Sequence, residues 1–138
     1  MLNYGRLRTV AANMRRCGLS QILVSDDDSI FYLIGRRVKA QERCGVLLIR
    51  EDEQVHAFMN ELFCIPPVPG VIWHTYRDGE DVYGMIAAEL HSGKVGFDKS
   101  WPSRHTISIL EKREDIIPVL GSAPVDDARM RKDAKEQE

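Results

Sequence analysis

The sequence predicts an α/β domain built on a mixed β-sheet with helices packed against it. Three observations carry this. Short β-rich apolar runs alternate with segments whose apolar residues recur at helical spacing. Both kinds of connection occur: a four-residue polar turn suits an antiparallel hairpin, and helical crossovers suit parallel neighbours. The 138 residues show no internal repeat and no low-complexity segment, and that length suits one domain able to bury its own core.

Each element has a local reason. Leu7, Val10, Ala11 and Met14 fall at i, i+3, i+4 and i+7, with Arg6, Arg8, Asn13 and Arg15 between them. That is an amphipathic helix with one buried stripe, and Gly18 after its basic last turn is a left-handed stop. Gln21–Ser25 reads as a buried strand. Asp26, Asp27, Asp28 and Ser29 can accept bonds from free backbone N–H groups and start a second helix, one short turn ending at Gly35. Gly45–Ile49 and Gln54–Met59 flank the polar turn Arg50–Glu53 and form a hairpin.

Pro66–Gly70 is a stiff connection with few backbone donors. Val71–Tyr76 is the fourth strand. Asp78 and Gly79 turn the chain, and Glu80 and Asp81 suit a helix N-terminus. Val82, Met85, Ile86 and Leu90 supply that helix's buried face, with Gly93 as its end. Lys94–Phe97 is the fifth strand. Ser100 as cap and Pro102 as an early residue open a further helix. Asp115–Leu120 is the sixth strand, placed at an edge by Pro118. The segment Asp126–Glu138 has good helix formers and an acidic start, but beyond Met130 its only apolar residue is Ala134. A helix without an apolar face is marginal alone, so this segment reads as a connector to something that follows.

Composition narrows the function. Hydrophobic residues make up 43% and charged residues 29%, with a net charge of −2, which argues against whole-surface binding to nucleic acid or anionic lipid. No apolar run reaches membrane-spanning length, and the basic N-terminus has no apolar h-region of a secretory signal. Cys17, Cys44 and Cys64 are odd in number and form no CxxC pair. They read as free thiols, buried or half-buried, in a reducing cytoplasm.

Catalytic machinery is hard to find. His56, His74, His91 and His105 show no HExxH-like spacing, and a structural role is expected for each. Asp26–Asp28 lacks the further oxygens of a hard-cation site and reads as cap and turn. Asp126 and Asp127 sit at a helix start and read as caps. No GxSxG, GxxxxGK[ST] or GxGxxG string occurs. One feature rises above this background. Between two apolar runs, Arg36, Arg37, Lys39 and Arg43 stand against the single acid Glu42. Charged runs are usually just solvated, but a guanidinium fork also suits a carboxylate or phosphate, and loops between rigid elements often carry such groups.

Several strings together resemble a known family. "RLRTVAANMRRCGLSQILVSDDDSIFYLIG" resembles the opening of creatinase and prolidase-type proteins: a helix, then Gly-Leu-x-x-x-Leu-Val, then x-Ile-x-Tyr-Leu-x-Gly. "ERCGVLLI" is similar to the family's Glu-Arg followed by an apolar strand, and "YRDGED" to its Asp-Gly turn before a helix. "VGFDKSWPSR" resembles the Gly-hydrophobic-Asp-Lys-Ser-Trp-Pro segment of bacterial Xaa-Pro dipeptidases. "VDDARMRKDAKE" resembles the helix that leads into their catalytic domain. These strings occur in order over nearly the whole chain.

The resemblance implies an N-terminal creatinase/prolidase domain: a six-stranded mixed sheet with helices on both faces, ribonuclease H-like. It implies that residues 1–124 form this domain and that 125–138 begin a connector helix to an absent C-terminal catalytic "pita-bread" domain. Chemistry would reside there, on two divalent ions (Mn or Co) that activate water against an X-Pro peptide bond. No cofactor is expected in residues 1–138, which alone would be inactive. The implied partners are the chain's own catalytic domain, a homodimer partner and an X-Pro peptide, with no nucleic acid and no membrane.

In the family the loop after x-Tyr-Leu-x-Gly can lean over the partner's active site and limit substrate length. Gly35, Glu42 and Arg43 match that loop, whereas Arg36, Arg37 and Lys39 replace the aromatic, acidic or His residues of the dipeptidases, and Ile34 replaces a Thr. The resemblance thus marks Arg36, Arg37, Lys39, Glu42 and Arg43 as substrate-binding in trans. Two other readings share the fold: a protein-binding or dimerisation module of an inactive homologue, and a creatinase-type amidinohydrolase that uses no metal.

Overall fold

The computed structural model describes residues 1–137, with side chains described through Arg131. Eleven elements are regular helices or strands. They are α1 (Tyr4–Cys17), β1 (Gln21–Val24), α2 (Asp27–Ile34), β2 (Val46–Arg50), β3 (Val55–Asn60), β4 (Ile72–Tyr76), α3 (Val82–Glu89), β5 (Gly93–Phe97), α4 (Ser103–Leu110), β6 (Ile116–Leu120) and α5 (Ala123–Gln137). A single 3₁₀ turn, Glu61–Phe63, follows β3.

The strands form one sheet in the order β4-β3-β2-β1-β5-β6. β2 is antiparallel to both of its neighbours, and every other pairing is parallel. Five strands therefore run the same way, and only β2 is reversed. The α/β class, the mixed sheet, the hairpin and the edge position of β6 follow the sequence reading.

The period-2 alternation of the strands splits the core into two layers. Ile22, Val24, Leu47, Ile49, Ala57 and Met59 face α1, α2 and α5, meeting Leu7, Val10, Met14, Ile30, Leu33 and Val125. Leu23, Val46, Leu48, Phe58 and Val95 face α3 and α4, meeting Val82, Ile86 and Ile109. A sheet covered on both faces needs apolar residues at every position of its central strands. That is why β1 and β2 read as unbroken apolar runs. The exceptions are the strand-end residues Gln21 and Arg50, and Gln21 is fully buried. Its amide donates to the His91 and Lys94 carbonyls and accepts from the His91 N–H, which ties β1 to the α3–β5 turn.

Several local expectations need correction. α2 has eight residues, two turns rather than one, because Asp26 caps it by accepting from the Ser29 N–H. Gly93 does not end α3. That helix stops at Glu89 with Leu90 as its cap, and Gly93 opens β5. Ser100 does not cap α4: its hydroxyl donates to Asp98, and α4 starts behind Pro102 with no side-chain cap. α5 begins at Ala123, before Asp126, so it gains Val125, which packs with Ala128 into the core. Cys17 and Cys64 are exposed, and only Cys44 is buried. Among the described residues no helix is long and apolar enough to cross a membrane.

Candidate functional site

With five strands codirectional, their C-terminal ends share one rim of the sheet. In open α/β sheets that rim is where ligand crevices form. The loop 35–43 lies on it, because it leads from α2 into the reversed strand β2. The start of α2, the turn after β5, Arg77 and Asp78 after β4, and the β6–α5 connection lie on the same rim.

The acidic start of α2 holds the basic loop in place. Asp27 accepts from the Val38 N–H at 2.7 Å. Arg37 donates to Asp28 and Asp27, and its guanidinium lies 4.2 Å from the centre of the Phe31 ring. The hydrogen bond from Arg37, with its charge, lowers the Asp28 pKa and raises that of Arg37. Asp26 caps Ser29 and accepts from Arg129 of α5 at 3.2 Å. At the other end of the loop, Arg43 makes a two-pronged contact to Asp78, at 2.9 and 2.8 Å. Asn60 at the end of β3 donates to the same carboxylate at 2.8 Å. These donors hold Asp78 down at about 2.

The five residues marked from the sequence thus divide. Arg37 and Arg43 are spent on ion pairs within the chain. Glu42 uses its backbone carbonyl to accept from Arg104. Arg36 and Lys39 form no ion pair among the described residues, and the Arg36 Nε is buried with no hydrogen-bond partner. Beneath the loop, a groove is lined by Asp26, Gln41, Arg43, Trp101 and His105. His105 bonds the Tyr83 hydroxyl at 2.6 Å, and burial, helped by Arg104, lowers its pKa.

Sequence reasoning missed a second cluster on the α3 face of the sheet. The parallel register of β3 and β4 sets His56 opposite Ile72 and Phe58 opposite His74. His56 and His74 therefore share a face. Their nitrogens, Nδ1 and Nε2, are 2.9 Å apart, and both rings stack with Phe58. Glu89, at the end of α3, completes a group whose ligand atoms lie within 4.8 Å of one another. Burial, then the nearby Arg50 cation, pushes the His56 imidazole below its ordinary value. Only the strand pairing brings these residues together, and no sequence spacing encodes it.

Comparison with known proteins addresses the whole arrangement. Several solved structures share the fold. A dipeptidase from Pyrococcus horikoshii OT3 superposes with a TM-score of 0.78 at 19% identity, covering 91% of this chain and 36% of that one. Dipeptidase PepE from Mycobacterium ulcerans gives 0.76 at 23%, covering 92% and 36%. The N-terminal domain of an Xaa-Pro dipeptidase from Lactobacillus brevis gives 0.76 at 16%, covering 91% and 98%. The chain thus spans about a third of the longer relatives and nearly all of a relative solved as an isolated domain. No curated protein matches the sequence. The family model for the Creatinase/Prolidase N-terminal domain matches residues 6–131, which run from the first turn of α1 into α5, and the chain belongs to that family.

Proposed function

We propose that this chain is the non-catalytic N-terminal domain of a cytoplasmic Xaa-Pro dipeptidase, and that it serves dimerisation and substrate access. Family membership over residues 6–131 supports this reading, as does the likeness to an Xaa-Pro dipeptidase N-terminal domain. In this proposal α5 connects to a metal-dependent catalytic domain. The two divalent ions of that reaction have no matching ligand set here. Among the described residues the one metal-type group is His56, His74 and Glu89, not a set of several carboxylates.

The observation that carries the substrate role is the division of charge in the loop. Arg37 and Arg43 are engaged at home. Arg36 and Lys39, which form no ion pair among the described residues, are left to meet a substrate carboxylate in the partner's active site. Arg37 builds the loop, so reversing it would disturb the scaffold as well as the field. The test is Arg36→Glu with Lys39→Glu in the full-length protein. The Michaelis constant for X-Pro dipeptides should rise with little change in kcat, and an unchanged constant removes the loop from substrate binding. The isolated chain should not cleave X-Pro dipeptides, and cleavage there would overturn the assignment.

A further inference from the structure

We propose that His56, His74 and Glu89 form a binding site for one divalent transition metal ion of the zinc type, which staples the edge strand β4 to β3 and to the end of α3. This site is separate from any catalytic ions of a following domain.

Two observations carry it. The first is the donor set. Two imidazole nitrogens and a carboxylate, with ligand atoms within 4.8 Å, are the chemistry that zinc, cobalt or nickel takes and that magnesium or calcium does not. The second is proximity. The His56 and His74 rings lie within 8° of parallel with centroids 5.2 Å apart, edge to edge across their nitrogen contact, and His74 stacks on Phe58 within 6°. Two nitrogens bound tetrahedrally at about 2.05 Å would sit roughly 3.3 Å apart. From the present in-line contact at 2.9 Å, that asks the nitrogens to part by a few tenths of an ångström and the rings to tilt so that both lone pairs meet at the ion. His74 lies on an edge strand and is only half-buried, which leaves room for it.

Binding would replace the present His56–His74 hydrogen bond. Both facing nitrogens would give their lone pairs to the ion, and the ring that had donated would carry its proton on its other nitrogen. His56 is 5% exposed, so water competes little for the ion on that side. The Glu89 side chain is 36% exposed, so an ion can enter and keep water in its remaining position.

Arg50 opposes the site. Its guanidinium lies 3.7 Å from the Glu89 carboxylate and donates to the Glu89 carbonyl. An incoming cation must draw the carboxylate away from it and bear its charge. That opposition gives the proposal a signature that a purely structural histidine pair lacks.

The test is calorimetric titration of the 138-residue chain with Zn²⁺ and Co²⁺, with thermal melts alongside. The Cys17→Ser/Cys64→Ser background removes the exposed thiols as competitors. One equivalent should bind and raise the melting temperature, and Mg²⁺ should do neither. His74→Ala and Glu89→Gln change half-exposed residues and leave the core intact. Losing a supporting contact to a ligand typically costs 10–100-fold in affinity, so losing a ligand should cost at least about tenfold. Arg50→Gln should instead tighten binding. Absence of binding in the parent chain overturns the proposal. So does binding that His74→Ala leaves unchanged, since the ion then sits elsewhere.

Discussion

At the scale of single residues, charge and burial set how the molecule responds to pH. Asp78 is held at about 2 against an ordinary 3.8 by Arg43 and Asn60. The unfolded chain then binds the extra proton first. The Asp78 contribution is full above 3.8 and lost as pH falls through about 2. Urea midpoints followed from pH 5 downward should fall less steeply in Asp78→Asn than in the parent over that window. On the alkaline side the sign reverses. Burial pushes Cys44 from 9.0 to about 12 and Tyr76 from 10.0 to about 12. Their contributions are complete below the lower values and vanish as pH climbs towards 12. Tyr76 also donates to the Cys44 carbonyl at 2.6 Å. Tyr76→Phe should cost about 1 kcal/mol from that lost bond and flatten the alkaline limb. Iodoacetamide labelling at pH 8 should modify Cys17 and Cys64 and spare Cys44 until denaturant is added, as peptide mass spectrometry would read.

At the scale of elements, the prominent contact is between β5 and β6. A Cβ on Gly121 would lie 2.5 Å from the Gly96 Cα and 2.6 Å from the Gly96 carbonyl carbon. Both are backbone atoms that cannot swing aside. Gly121→Ala should therefore destabilise by about 1–3 kcal/mol, measured as a shifted denaturant midpoint with an unchanged slope. The sequence did not announce this approach, since "LGS" after a strand reads as an ordinary turn. What was legible at this scale had a local cause. The α1 stripe, the Gly18 and Gly35 stops, the Asp26 cap and the hairpin all depend on residues within a few positions of one another. The misplacements at Ser100 and Gly93 share one reason. Each residue type suits a helix end, and a neighbour decided otherwise. Asp98 took the Ser100 hydroxyl, and Asp115 receives the Gly93 N–H from across the β5–β6 pair.

For the whole molecule, the basic loop and the acidic start of α2 are a single unit. The sequence shows both charge runs, and only the fold shows that Arg37 is used to close one upon the other. The sequence thus located the loop and could not tell its scaffold residues from its unpaired ones. The His56–His74 pair was illegible for a stronger reason, because it exists only through the register between β3 and β4. α5 belongs to this scale too. Asn13 of α1 donates to the Pro124 carbonyl, and the Tyr32 hydroxyl of α2 donates to the Ala128 carbonyl. A chain ending at residue 124 should melt at a lower temperature than residues 1–138, since the core loses the buried Val125 and Ala128.

Arg129 gives that helix a further consequence. It contacts Asp26 and Asp28. Asp28 also holds Arg37, while the neighbouring Asp27 holds the Val38 N–H. A continuous linkage therefore runs from α5 through the head of α2 to the crest of the loop. At 15 residues, α5 is about 22 Å long, and a tilt of 10° about its packed end swings its far end by roughly 4 Å. The base of that helix packs against α1, and its Arg129 shares the Asp28 carboxylate with Arg37, the loop residue beside Arg36.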